Sequence, residues 1–380
     1  MSVWLLAAVL LLQPAMVVAS AADGWTQMFQ RDGARLFERS PDGVVQYVQD
    51  GGGSYGQLNF TTVWQGADQT RSMAPSDSLL NLVFDFSGGI QATDSAVLTW
   101  WVTGGSDLGD HQPPDLSEAI GSALGVNATL TNGIDMRELY WAQSIGDAFI
   151  FTFGLIDSTW RYDVNKTANS AREYFLSPAL GNSSAIPFPD RSLALDFSWE
   201  IIPELDVHAG VYQTNCGGSE LCFSGLDDDH WFAPVELVYS TSPFGWGVGS
   251  YRFLVFHTQR ENRKGYGASL NFEQAIGPVV PFLRLSLSDK DIAEFTEFAS
   301  LGVTIMAPMG RADDTFGVAW AIGQPADDSK NAEQIIETYW RFQLNPFVSL
   351  SPHVQLVLDP ANNDEAESVL VAGARLQIDF

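Results

Sequence analysis

The sequence predicts an all-β protein, a transmembrane antiparallel β-barrel of sixteen strands with long extracellular loops and short periplasmic turns. Three observations predict it. The last ten residues, Val371 to Phe380, alternate apolar Ala372, Ala374, Leu376, Ile378 and Phe380 with polar Arg375, Gln377 and Asp379, and end on the aromatic. Because a strand shows its two faces with period two, this segment has one oily and one wet face. Segments of the same kind recur along the chain, each near the ten residues that a tilted membrane strand needs. The connections between them alternate short and long.

The alternation is clearest in the middle and C-terminal parts. In Arg191–Ile201, Leu193, Leu195, Phe197 and Trp199 oppose Ala194, Asp196, Ser198 and Glu200. In Gly267–Ala275, Ala268, Leu270 and Phe272 oppose Ser269, Asn271 and Glu273; in Pro281–Ser288, Leu283, Leu285 and Leu287 oppose Arg284, Ser286 and Ser288. In Glu337–Gln343, Thr338, Trp340 and Phe342 oppose Glu337, Tyr339, Arg341 and Gln343. Strand signals place the sixteen at 55–64, 78–86, 95–103, 134–144, 147–157, 191–200, 204–214, 230–240, 246–257, 265–274, 278–287, 295–305, 314–323, 332–343, 347–358 and 368–379. An even number lets both ends of the barrel segment, 54–380, lie in the periplasm. Even-numbered connections are then periplasmic and mostly short, as at Ile145-Gly146, Pro203 and Asn345-Pro346. Odd-numbered ones include the longest, Gly104–Gly133 and Ser158–Asp190. Trp64, Trp100, Trp141, Trp231, Trp246, Phe342 and Phe347 lie near strand ends, where interface girdles sit.

The N-terminus reads as an export signal over residues 1–21: Val3 to Val18 is almost wholly apolar and Ala19-Ser20-Ala21 fits a small-x-small cleavage site, although no Lys or Arg precedes Arg31. Residues 22–53 are polar, Gly-rich and weakly patterned, suited to a periplasmic or mouth-filling segment. Beyond them no apolar run is long enough for a membrane helix. The formal charge of −27, from 46 acidic against 19 basic residues, disfavours nucleic acid as a partner and a phosphate-selective pore. Acids such as Asp227-Asp228-Asp229 and Asp327-Asp328 fall in turn-like segments and read as solvated loop tips. Cys216 and Cys222 suit one small loop disulfide in an exported protein. With no His or Cys cluster nearby, a metal site is not expected.

The long connection 158–190 is the candidate for chemistry. In barrels of this size the third outer loop commonly folds inward and sets the narrowest point. This one mixes Trp160, Arg161, Tyr162, Lys166, Arg172, Glu173, Tyr174 and Phe175. Aromatic faces stack on sugar rings and charged groups hydrogen-bond hydroxyls, so such a mixture suits neutral sugars that must bind weakly enough to leave. The inward faces of the strands add Asp85, Arg137, Asp196, Glu200, His208, Glu236, Arg284, Glu337, Arg341 and Arg375, a balance of both signs. No catalytic residue is expected: G-x-S-x-G, HExxH and P-loop patterns are lacking, and the histidines sit in no motif.

With these residues in view the chain resembles the OprB family of carbohydrate-selective outer-membrane porins. Phe151–Asp206 carries FTFGLID, VNKTANSAREYFLSPALG and IPFPD; Glu337–Phe380 carries ETYWRFQLNPFVSLSPHVQLVLDP, a short acidic loop and VLVAGARLQIDF. Arg341 and Arg375 fall on motif positions of the second stretch. The resemblance implies passive, facilitated diffusion of glucose and related monosaccharides through a sugar-selective eyelet, without a cofactor. Partners expected for such a barrel are mono- or small oligosaccharides, outer-membrane lipid and lipopolysaccharide, and the barrel-assembly machinery through the C-terminal strand ending at Phe380. A general or cation-leaning diffusion porin, or a non-channel barrel such as an enzyme or adhesin, is the alternative.

Overall fold

A computed structural model describes residues 54–107 apart from 73 and 75, then 116–189, 191–214, 230–260 and 263–380, with the backbone of 37–39 and 45–47. The expected signal segment 1–21, most of 22–53 and the expected Cys216–Cys222 disulfide lie outside the described residues. Strands β1 (Phe37–Arg39) and β2 (Val45–Tyr47) pair antiparallel. The remaining strands close one barrel. They are β3 (Ser54–Ala67), β4 (Ser78–Thr93), β5 (Ala96–Asp107), β6 (Gly133–Ile145), β7 (Phe149–Ile156), β8 (Ser192–Ile202), β9 (Leu205–Gln213) and β10 (Trp231–Thr241). After them come β11 (Gly249–Arg260), β12 (Arg263–Gln274), β13 (Val279–Ser288), β14 (Phe295–Met306), β15 (Thr315–Pro325), β16 (Glu333–Asn345), β17 (Val348–Leu358) and β18 (Ser368–Asp379). Each strand pairs antiparallel with its sequence neighbours, and β18 closes on β3 with Asp379 opposite Asn59 and Val371 opposite Ala67.

All sixteen expected strands are present. The largest departure is the connection expected at 87–94. There β4 runs on through Gly88 and Gly89, paired with Gly56 and Tyr55 on one side and with Trp100 and Thr99 on the other. Ladder bonds on both flanks carry the backbone past two residues that propensity alone reads as a break. The turn is thereby reduced to Asp94-Ser95.

Period-two alternation explains the two faces. Trp64, Leu80, Phe86, Leu98, Trp141, Phe153, Leu195, Phe253, Leu285, Leu301 and Leu370 are exposed on the outside, as lipid requires. Gln65, Asn81, Asp85, Asp196, Glu236, Arg252, Arg284, Glu337, Gln355 and Arg375 point inward and are buried. They are buried because loops fill the lumen. The second outer loop, with helix α1 (Leu116–Ile120), and the third, with helix α2 (Pro178–Gly181), pack Leu116, Ile120, Leu124, Val126, Phe175 and Leu180 against Phe282, Phe295, Phe298 and Tyr339 of the wall. A second apolar cluster joins Tyr162 and Ile186 of the third loop to Tyr212, Phe232 and Phe256. The barrel therefore has an interior core made from its own outer loops.

Candidate functional site

A loop folded into a barrel buries backbone N–H and C=O groups that no ladder satisfies, and each must find a partner. Here the wall supplies charged side chains as those partners. Carboxylates take the N–H groups: Glu236 accepts from Asp163 N (2.9 Å), Glu273 from Lys166 N and Thr167 N (both 3.0 Å), and Glu337 from Leu176 N (2.7 Å) and Ser177 N (2.9 Å). Guanidiniums take the C=O groups. Arg284 donates to the carbonyls of Leu180 (3.0 Å), Asp163 (3.3 Å) and Ala168 (2.6 Å), and Arg375 to those of Ala171 (2.5 Å), Tyr174 (2.8 Å) and Glu173 (3.0 Å). Charge-assisted hydrogen bonds are the strong class, so the loop is fixed rather than draped.

Side chains complete the attachment. Tyr162 and Tyr212 both donate to Asp196 Oδ2 (2.7 and 2.5 Å). Asp163 occupies the left-handed backbone region (φ 58), which Asp tolerates; its carboxylate pairs with Arg284 (3.3 Å) and accepts from Ser183 N (2.8 Å). At the loop tip Arg172 pairs with Asp85 of β4 through Nε and through Nη2 to Oδ1 (2.7 Å). Asp85 also accepts from Trp101 Nε1 (2.8 Å), and Arg137 lies over the Trp101 ring at 4.7 Å. The second loop is held in the same manner, with Glu333 accepting from Ser122 Oγ (2.5 Å), Ala123 N (2.8 Å) and Leu124 N (3.1 Å).

The anchors of residues 162–168 and 175–183 lie on β8 to β16, so that side of the lumen is filled. Between the tip and the opposite wall remains a cavity of about 320 Å³. Gln57, Asn59, Asp85, Ser87, Trp101, Gln377 and Asp379 line it from β3, β4, β5 and β18. Trp160, Lys166, Asn169, Ser170, Arg172, Glu173 and Tyr174 line it from the loop. Three acids, Asp85, Glu173 and Asp379, face two bases, Lys166 and Arg172, with two indoles, a phenol and four amides among them.

Of the sequence candidates, Asp85, Trp160, Lys166, Arg172, Glu173 and Tyr174 reach this cavity. Tyr162 and Phe175 do not line it: Tyr162 is 0% and Phe175 1% exposed, the one bound to Asp196 and the other packed edge-on against Tyr339 at 5.0 Å. Asp196, Arg284 and Arg375 likewise serve the loop and are buried behind it. The physical reason is common to all five: a folded-in loop needs inward groups of its own, and these satisfy it. Arg161 lies over Tyr140 at 4.8 Å in a separate recess with Thr152, Asp196 and His208. Glu200 is exposed near the periplasmic end of β8, opposite Asp206, and Arg341 sits on β16 opposite Thr315; neither lines the cavity. Sequence reasoning missed Trp101, Gln377, Asp379 and the amide-bearing Gln57 and Asn59 as cavity residues. Period two offered the signal for Trp101, since a lipid-facing Trp100 turns its neighbour inward.

The carbohydrate-selective porin OprB family model matches residues 238–380. Porin AaxA of Chlamydia abortus (strain DSM 27085 / S26/3) is 24% identical over 274 residues, 68% of this chain and 60% of that protein. Porin AaxA of Chlamydia pneumoniae is 21% identical over 304 residues, 76% of this chain and 67% of that protein. The chain thus spans about three fifths of the length of the first curated relatives it matches. Among solved structures, Pseudomonas putida OprB at high pH superposes with a TM-score of 0.74 at 15% identity, covering 86% of this chain and 94% of that one. Pseudomonas aeruginosa OccK11 (OpdR) superposes at 0.54 and 9% identity, covering 86% and 96%. Sixteen closed strands, lipid-facing apolar rows and long loops on one side make this an outer-membrane barrel, whose C-terminal residues 238–380 are similar to the OprB family of carbohydrate-selective porins.

Proposed function

We propose that the protein gives passive, facilitated diffusion to small neutral carbohydrates, monosaccharides such as glucose first among them, across the outer membrane. The observation that carries this is the composition of the 320 Å³ cavity: Trp160 and Tyr174 beside amides and charges of both signs. Hydroxyls are both donors and acceptors, so paired charges and amides suit them, while aromatic faces suit the apolar faces of a sugar ring. Asp85 is already neutralised by Arg172, which keeps the field small and the affinity low enough for release. The match to a carbohydrate-selective family supports the same reading.

Proteoliposome swelling tests it. Glucose should enter faster than neutral amino acids of equal size, and Trp160→Ala and Tyr174→Ala should reduce that advantage several-fold while the barrel stays heat-resistant in detergent. Entry that follows size alone would reduce the function to general diffusion. The excess of one acid in the cavity favours a second reading, a cation-leaning pore, which a reversal potential far from zero in a KCl gradient would support.

A further inference from the structure

The periplasmic rim has two unlike halves. On one side the turn tips after β4, β6 and β8 each carry an exposed acid, Asp94, Asp147 and Glu204. On the other, the turns after β10, β12 and β16 carry no charge and the turn after β14 carries Arg311, Asp313 and Asp314; the turns after β10 and β14 both have the sequence Pro-apolar-Gly, Pro243-Phe244-Gly245 and Pro308-Met309-Gly310. Phe244 and Met309 are each 89% exposed, the most exposed large apolar side chains among the described residues. Both hold positive φ (57 and 53), a conformation bulky residues rarely adopt. Glycine or asparagine would suit those positions better if the tips only had to turn in water.

Both turns are folded onto the lipid side of the barrel. Asp314, at the end of the Met309 turn, accepts from Trp340 Nε1 (3.2 Å), and Arg311 lies over the Phe342 ring at 6.0 Å. Trp340 stacks on Phe342 at 5.2 Å and meets Phe316 at 5.7 Å, all on the outward rows of β15 and β16. In the Phe244 turn the Gly247 carbonyl accepts from Gln274 Nε2 (2.7 Å), whose Oε1 accepts from the outward-facing Tyr251 (2.7 Å). Phe244 packs edge-on against Trp246 at 5.4 Å, with Val248 66% exposed beside them. These tips thus continue the lipid-facing belt.

We propose that Phe244 and Met309 are membrane anchors, inserted at the headgroup boundary of the periplasmic phospholipid leaflet, so that the rim from β10 to β17 is immersed while the rim from β4 to β9 stays in water. Lipid is the occupant because the tips are continuous with a surface that already faces lipid, and because three of the four turns on this half carry no charge whereas every turn on the other half carries an exposed acid.

The test places one nitroxide at a time on the full-length chain, with Cys216 and Cys222 replaced by Ser, through Phe244→Cys, Met309→Cys, Val248→Cys, Asp94→Cys, Asp147→Cys and Glu204→Cys. In phosphatidylethanolamine–phosphatidylglycerol vesicles, spin relaxation by oxygen should exceed that by a water-soluble nickel chelate several-fold at 244, 248 and 309. The order should reverse at 94, 147 and 204. Val248 and Met309 keep the test decisive should the Phe244 variant fail to assemble. Nickel-accessible labels at 244 and 309 would overturn the anchoring, and oxygen-rich labels at all six would overturn the division of the rim.

Discussion

Arg172 is the side chain whose removal should change the pore most without unfolding it. Its guanidinium and the Asp85 carboxylate are 11% and 3% exposed and joined by two hydrogen bonds, so in the native pore they cancel. Arg172→Ala leaves Asp85 still bound by Trp101 Nε1 and leaves the tip backbone held by Arg375. The cavity therefore gains one uncompensated negative charge rather than losing its wall. An ion passing about 4 Å from that charge in a water-like medium feels about 1 kcal/mol. That is about fivefold in occupancy, upward for K⁺ and downward for Cl⁻. The shift should be read as a reversal potential in a KCl gradient across a planar bilayer. It should shrink as salt rises from 0.1 to 1 M, because screening shortens from about 10 to about 3 Å. Arg172→Lys, which keeps the charge, should restore the native value. An unchanged reversal potential in Arg172→Ala would mean that ions do not pass this pair, and the assignment of the cavity as the permeation path would fall.

Arg375→Ala removes the donor for three buried carbonyls. Hydrogen bonds to charged groups contribute about 1.5–3 kcal/mol each, so open-channel noise should rise and single-channel conductance spread, with the barrel still heat-resistant; quiet currents would contradict it. Gly210→Ala would place a Cβ 2.6 Å from Tyr212 Cε2, 2.8 Å from Asp196 Oδ2 and 2.9 Å from Tyr162 Oη. It should cost about 1–3 kcal/mol and loosen the root of the third loop, visible as faster cleavage there by an added protease. Asp314 is held below the ordinary carboxylate range, first by its hydrogen bond from Arg311. A depressed acid stabilises above its unfolded pKa and loses that contribution as pH falls through the folded one. The unfolding temperature should therefore drop less between about pH 5 and pH 2 in Asp314→Asn than in the native protein, and parallel curves would refute the attribution.

The barrel was legible in the sequence because a strand with lipid on one side and polar groups on the other has no freedom in its pattern. Leu283, Leu285 and Leu287 against Arg284 and Ser286 can be read only one way. Loop parity was legible for a related reason, since only one end of the barrel tolerates length. The interior was not. Period two states that Arg284 and Arg375 point inward but not whether they meet water or backbone. That depends on where the third loop runs, and its route is set by contacts 87 to 204 residues distant in sequence, such as Arg172 with Asp85 and Arg375 with Ala171. Aromatic residues misled in the same way. Tyr162 and Phe175 have the chemistry of a sugar platform, yet sit on the side of the loop that faces β8 to β16, whereas Trp160 and Tyr174 face the gap.

The attachment of the third loop by its backbone has a consequence for how such a pore can diverge. Glu236, Glu273, Glu337, Arg284 and Arg375 recognise amides and carbonyls that every residue possesses. Under the proposed function, substitutions at Lys166, Asn169, Ser170, Glu173 or Tyr174 would therefore exchange what the solute meets and leave the scaffold's grip intact. Insertions, deletions and prolines do the opposite, because they shift or delete the groups being gripped. Selectivity in this architecture is free to drift one side chain at a time, while the length of the loop is not.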